Sequence, residues 1–367
     1  MREAVRRVGE RFMVGFDGHT ASSDVKRMIR DFAVGHVILF GRNVDSPEQV
    51  ADLVRELQSV ARDAGHSLPL MVAVDQEGGR VSRLPEPWTI WPPMRAVGRV
   101  GSEEVARKVG AGLAAELSAC GIRWDLAPDV DVDTNPKNPV IGDRSFGDDP
   151  GLVGRLGAAV IRGLQEGGVA ACAKHFPGHG DTDVDSHLDL PAVDHPRPRL
   201  DEVELPPFRA AIEARVASIM TAHVLVRELD DSVPATLSPR LVGGLLRKEM
   251  KYDGVIVSDD LEMKAVAAHW GVGPAAVKAA QAGCDILPVC ATAEAQVEAM
   301  ESVIRALEAE SLSWSAMDDA CARIRRLKEK YLMPYRPPDP RAARAAAGSS
   351  GRADFSREIM DRAGMNA

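Results

Sequence analysis

Short apolar runs alternate along this chain with longer amphipathic ones. Eight of the short runs read as buried strands: residues 12–16, 36–40, 70–74, 124–128, 169–173, 218–223, 255–258 and 285–290. Between them lie segments with helical spacing. The clearest covers 47–64, where Val50, Leu53, Val54, Leu57 and Val60 share one face. Ser46 supplies its N-cap, Gln49 completes a capping box, Pro47 suits the first helical position and Gly65 ends it. Further helices are predicted over 103–120, between Ser102 and Gly121, and over 150–167. Eight strands with helices between them are the βα count of a single (β/α)8 TIM-type barrel. The pattern alone leaves a doubly wound sheet open as the alternative. After the eighth strand, 294–310 and 315–331 have the length of two closing helices.

The periodic pattern stops near Pro334. We therefore expect one catalytic domain over 1–334 and a Pro/Ala/Arg-rich tail over 335–367. Arg336-Pro337-Pro338-Asp339-Pro340 and the Ala/Arg/Gly/Ser run to Arg352 read as a flexible linker, and 355–363 as a short helix stopped by Gly364. The chain shows neither an internal repeat nor a second domain. Its 367 residues are enough for a large core.

Charge narrows the partners. A formal net charge of −9, with no long basic run, argues against phosphate backbones and so against nucleic acid. Residues 1–10 are charged throughout and lack the apolar centre of a secretory signal. No apolar stretch reaches the ~18–20 residues of a membrane span. The five cysteines, Cys120, Cys172, Cys284, Cys290 and Cys321, form no CxxC pair, which fits a reducing compartment. A cytoplasmic protein without membrane attachment, acting as a monomer on a small molecule, is the expectation.

The chemistry gathers at the predicted strand ends, where a parallel barrel builds its active site. The loop from Lys174 to His187 holds three histidines, three aspartates and two glycines. One reading is a metal site. Asp181, Asp183 and Asp185 resemble the start of a calcium loop, but Ser186 and Ala192 stand where glycine and glutamate are needed. Asp129, Asp131 and Asp133 fail in the same way, with Thr134 and Val140 at those places, and there is no HExxH. No metal or other cofactor is expected. The second reading is acid/base work, since Asp185 can hold the imidazole of His187 and raise its basicity. His179 is expected to make a hydrogen bond inside the loop, and His175, beside Lys174 at the strand end, to touch a ligand. After strand three, Asp75 can accept from ligand hydroxyls and Arg83 can donate a fork, although a turn with surface ion pairs would look the same. Arg144 could enter a cleft or pair with Asp143 or Asp148. At the end of strand seven, Asp259 and Asp260 point opposite ways in extended chain. One can therefore face a pocket as a nucleophile while the other caps the next helix.

Four segments, DQEGGRVSRL at 75–84, IGDRSFG at 141–147, KHFPGHGDTDVDSH at 174–187 and SDDLEM at 258–263, together resemble glycoside hydrolase family 3. The likeness is greatest to its single-domain bacterial β-N-acetylhexosaminidases of cell-wall recycling. It runs from about residue 12 to 332 and covers the whole predicted barrel. The resemblance implies a retaining hydrolysis with Asp259 as nucleophile and His187, paired with Asp185, as acid/base. It implies that Asp75, Arg83, Arg144, Lys174 and His175 bind the sugar. It also implies a muropeptide fragment bearing N-acetylglucosamine as substrate. A phosphorylase or β-glucosidase of the same family, a non-catalytic sugar-binding barrel and a metal hydrolase are the competing readings.

Overall fold

The structure is a computed structural model that describes residues 2–186 and 188–365. Ten strands occur in chain order: β1 Phe12–Val14, β2 His36–Leu39, β3 Met71–Val74, β4 Trp124–Asp125, β5 Ala170–Phe176, β6 Ala192–Val193, β7 Ser218–Thr221, β8 Leu225–Val226, β9 Val255–Ser258 and β10 Leu287–Val289. Eight of them form one parallel sheet in the order β10-β1-β2-β3-β4-β5-β7-β9. A parallel bridge between Val257 and Ile286 joins its two ends, so the sheet closes into the eight-stranded barrel that the pattern predicted. β6 and β8 pair separately above it.

Alternation along each strand sorts side chains into two layers. Met13, Met71, Ala73, Ala170, Cys172, Val255 and Val257 fill the barrel. Their neighbours Phe12, Val14, Val72, Val74, Ala171, Ala173 and Ile256 pack outward beneath the helices. The helix Trp314–Leu332 adds Ile324, Leu327, Tyr331 and Leu332 to the inner layer. Its Arg323 and Arg326 pair with Asp285 and Asp253, residues that precede strands, so this helix closes the N-terminal end of the barrel. Only the C-terminal end remains open for chemistry.

Several boundaries follow local rules. The Ser46 side chain accepts from Gln49 N at 3.2 Å and Pro47 opens the helix Pro47–Asp63. The Gln49 side chain reaches Asp45 N at 2.9 Å, one residue short of a standard capping box. Ser102 and Asp149 cap the helices Glu103–Ala119 and Pro150–Glu166. β4 ends earlier than expected, before Pro128, which has no N–H for the ladder. β5 runs three residues further than expected because Lys174 bridges to Asp129.

The tail departs from the linker expectation. Helices Pro340–Ala346 and Ser350–Ala363 dock on the barrel's outer face, burying Ala343, Ile359 and Ala363, and Gly364 ends the second in the left-handed conformation. Few apolar residues mark these helices. Hydrogen bonds to distant partners complete the docking, and composition does not register those. The buried Glu116 carboxylate accepts from Gly348 N at 2.9 Å and lies 3.4 Å from Arg352, while Ser356 Oγ donates to Ile90 O at 2.6 Å. Glu116 also accepts from Thr89 N and Oγ1 and from Trp91 Nε1, and the Trp91 carbonyl accepts from Gly79 N at 2.9 Å. The tail thus braces the 75–84 loop through one carboxylate. Gly348 has φ +59° and a Cβ there would lie 1.8 Å from Pro87 O, so only glycine fits. Among the described residues no helix is long and apolar enough to cross a membrane.

Candidate active site

The strand period of two chooses which motif residues enter the barrel mouth. Met71 and Ala73 are followed on the same face by Asp75, Ala170 and Cys172 by Lys174, and Val255 and Val257 by Asp259. Asp75, Lys174 and Asp259 accordingly line one cavity of about 330 Å³ at the C-terminal ends of the strands. Arg83, Arg144 and His175 line it too, over an apolar floor that includes Leu126, Met220 and Pro288. Larger hollows of about 780 and 890 Å³ lie elsewhere, lined by side chains of mixed charge. The smaller cavity is the one where buried ionisable groups converge.

In a regular strand Lys174 and His175 would face opposite ways. The β5–β7 register shifts between Ala173 and Phe176, and both side chains line the cavity. Lys174 Nζ lies 2.7 Å from Asp75 Oδ1 and 2.7 Å from Glu77 Oε1. Arg144 makes a two-pronged contact with Glu77, both prongs at 2.8 Å, and lies 3.3 Å from Asp129. Burial alone would neutralise these groups. The Arg144 and Lys174 charges instead hold the Glu77 carboxyl well below its usual range, and the carboxylates raise Lys174 and Arg144 above theirs. All three stay charged. Arg83 sits at the same wall with its Nε buried and making no hydrogen bond among the described residues, so it remains able to donate to a bound hydroxyl.

His175 has the opposite character. Burial, with Arg144 next to it, lowers its pKa to about 4, so the ring is neutral near pH 7. Its Nδ1 lies 2.8 Å from Asp131 Oδ2, which assigns the proton to Nδ1 and leaves Nε2, 3.4 Å from Arg144, as an acceptor on the cavity side. Asp131 Oδ1 accepts from His179 N at 2.7 Å. Asp129, Asp131 and His175 are close enough to hold a metal ion. Their donor set argues otherwise: the Asp131 oxygens are taken by N–H groups, and the Arg144 guanidinium would repel a cation beside Asp129.

Of the aspartate pair, Asp259 continues the inward face of β9 and accepts from Asp260 N at 2.8 Å. Asp260 also borders the cavity, but its Oδ1 accepts from Glu262 N and Cys290 N, and burial, followed by the Glu262 and Asp259 charges, pushes its carboxyl up to about 7. It caps a turn; the next helix, Lys264–Trp270, has Met263 at its N-cap. Asp185 is half-buried in the loop above, and its carbonyl accepts from Leu188 N and Asp189 N. Ser186, next to it, lines the cavity. His187, the expected acid/base, lies outside the described residues. His179 is bonded within the loop as expected, to Thr182 and Ser186.

Sequence reasoning passed over Glu77 and Asp131. Glu77 stands inside the DQEGGR segment, two residues after Asp75, and that was an available signal. In the sequence Asp131 reads only as a candidate calcium ligand. Its contact with His175 spans 44 residues of chain, and no local pattern announces it.

Comparison with known proteins identifies the family. The model of the glycosyl hydrolase family 3 N-terminal domain matches residues 6–327. Beta-hexosaminidase A of Pseudoalteromonas piscicida is 37% identical over 333 residues, which is 85% of this chain and 56% of that protein. This chain therefore spans little more than half of that relative. The structure of a glycoside hydrolase family 3 beta-N-acetylglucosaminidase from Paenibacillus sp. str. FPU-7 superposes with a TM-score of 0.91 at 40% identity, covering 98% of this chain and 68% of that one. NagZ from Neisseria gonorrhoeae does so with a TM-score of 0.79 at 32% identity, covering 96% and 98%. A closed parallel barrel, four motifs at its open end and this family match lead to one conclusion: the chain belongs to glycosyl hydrolase family 3 and is similar to that family's β-hexosaminidases.

Proposed function

We propose that this protein is a retaining, exo-acting β-N-acetylglucosaminidase that removes terminal non-reducing N-acetylglucosamine from cell-wall muropeptide fragments during peptidoglycan recycling in the cytoplasm. The observation that carries the reading is Asp259, aligned with the inward face of β9 and opening onto a cavity whose other wall is the Lys174, Asp75, Glu77, Arg144 and His175 set. That wall offers charged acceptors, charged donors and a neutral imidazole, as a polyhydroxylated uncharged ring requires. The cavity's small volume and apolar floor suit one terminal sugar.

In this reading an Asp259 oxygen attacks the anomeric carbon while the bond to the leaving oxygen breaks, and His187 delivers its proton to that oxygen. His187, with Asp185 behind it, then takes a proton from water as water displaces Asp259, with net retention. The test is release of p-nitrophenol from the β-N-acetylglucosaminide and the β-glucoside, with and without phosphate, after EDTA treatment. Cleavage of the acetamido sugar alone, indifferent to phosphate and to EDTA, is expected. A sugar 1-phosphate product would make the protein a phosphorylase, loss of activity with EDTA a metal hydrolase, and inertness towards both sugars would return it to a sugar-binding barrel.

A further inference from the structure

The loop that carries Asp185 and His187 has little apolar anchorage. Val184 is 39% and Leu188 68% exposed, and Asp183 is exposed as well. Thr182 and Ser186 are the buried members of this stretch among the described residues, and both bond to the same ring. His179 Nδ1 lies 2.7 Å from Thr182 Oγ1, and its Nε2 lies 3.2 Å from Ser186 Oγ. The Thr182 hydroxyl donates to His179 O at 3.1 Å, so its oxygen must accept from Nδ1–H. Nε2 is then unprotonated and accepts from the Ser186 hydroxyl. Burial, which lowers the His179 pKa to about 4, keeps the ring neutral as this arrangement needs.

The ring is itself tied to the sugar-binding wall. Asp131 accepts from His179 N through one oxygen and from His175 N and Nδ1 through the other. Asn138 donates to His179 O at 2.8 Å, while its Oδ1 accepts from Val140 N and Ile141 N in the segment leading to Arg144. On the far side, Ser186 O accepts from Ala265 N at 3.3 Å. One buried knot therefore joins the IGDR segment, the KH pair and the residue between Asp185 and His187.

We propose that His179 and Ser186 are positioning residues for the acid/base: the Ser186 hydroxyl, held by His179 Nε2, fixes the backbone that precedes His187 in the chain. This rests on His187 as the acid/base. In this reading Ser186 and His179 act through the backbone they hold.

A misplaced acid costs most where the leaving group most needs a proton. The test compares kcat/KM of Ser186→Ala, Ser186→Thr and His187→Ala on 2,4-dinitrophenyl and phenyl β-N-acetylglucosaminides, with thermal melts to check folding. Ser186→Ala is expected to lose about tenfold more on the phenyl than on the dinitrophenyl glycoside, a fraction of the ~10²–10⁴ that a general acid supplies. Ser186→Thr, which keeps the hydroxyl, should recover most of the phenyl rate. Equal losses on the two substrates, no loss, or no recovery by threonine while His187→Ala is leaving-group dependent would overturn the latch and leave the acid/base reading standing. Equal losses from His187→Ala would overturn that reading and the latch with it.

Discussion

Glu77→Gln tests the charge balance of the site most directly. Two buried cations, Lys174 and Arg144, face the carboxyls of Asp75 and Glu77 and hold Glu77 well below its usual range; the third nearby carboxyl, Asp129, is raised toward neutrality by burial and by Asp131. Glutamine keeps the volume and one acceptor oxygen but leaves an excess positive charge in a site where Lys174 is fully buried by its neighbours. Each lost contact is worth about 4 kcal/mol at 4 Å with an effective dielectric of ~20. Part of this is offset because the carboxylate no longer has to be desolvated. Breaking a buried pair from one side costs about 3–5 kcal/mol, and we take about 3 kcal/mol for this near-isosteric change. For a domain of this size that lowers the melting temperature by roughly 5 °C. Lys174 and Arg144 also lose their common anchor, so KM should rise along with a fall in kcat. The control is Asp143→Asn, which removes the carboxylate paired with Arg80 at the surface, where both side chains are over 40% exposed; such pairs are worth under about 1 kcal/mol. Scanning calorimetry and nitrophenyl glycoside kinetics on both variants give the answer. A Glu77→Gln melt within a degree of the control would refute the balance argument.

Three further outcomes are expected. Asp259→Asn should abolish turnover while leaving the melting temperature near that of the unaltered protein; a near-normal rate would remove Asp259 as nucleophile. His175 should titrate near pH 4, followed by its imidazole NMR shifts, and stay an Nδ1–H tautomer through neutrality. Because its folded pKa lies below the unfolded value of 6.5, its contribution to stability is whole above pH 6.5 and erodes as pH falls toward 4; a midpoint between 6 and 7 would contradict the assigned burial. Gly348→Ala, which drives a methyl into Pro87 O at a left-handed position, should cost about 1–3 kcal/mol of stability. It should also raise KM through the Glu116–Trp91–Gly79 relay, and an unchanged KM would reduce the tail to a purely stabilising role.

The barrel and half of its site were legible in the chain because both rest on local periodicity. Apolar runs separated by helical spacing give βα units, and a side-chain period of two carries the inward face of the strands to Asp75 and Asp259, just past β3 and β9, and to Lys174 near the end of β5. Helix starts at Ser46, Ser102 and Asp149 are equally local, since a cap bonds within its own first turn. What the tertiary structure decided is which distant groups meet. Glu77 grips Arg144 across 67 residues and Asp131 orients His175 across 44, and these contacts set which groups are charged and which ring nitrogen accepts. The tail shows the same division. Its helices bury few apolar side chains, so composition read as a linker, and they dock because a carboxylate on the helix Glu103–Ala119 collects donors from segments more than 200 residues apart. Periodicity is a property of neighbouring residues and can be read from them. Charge state, tautomer and docking depend on groups that only the closed barrel brings within a few ångströms.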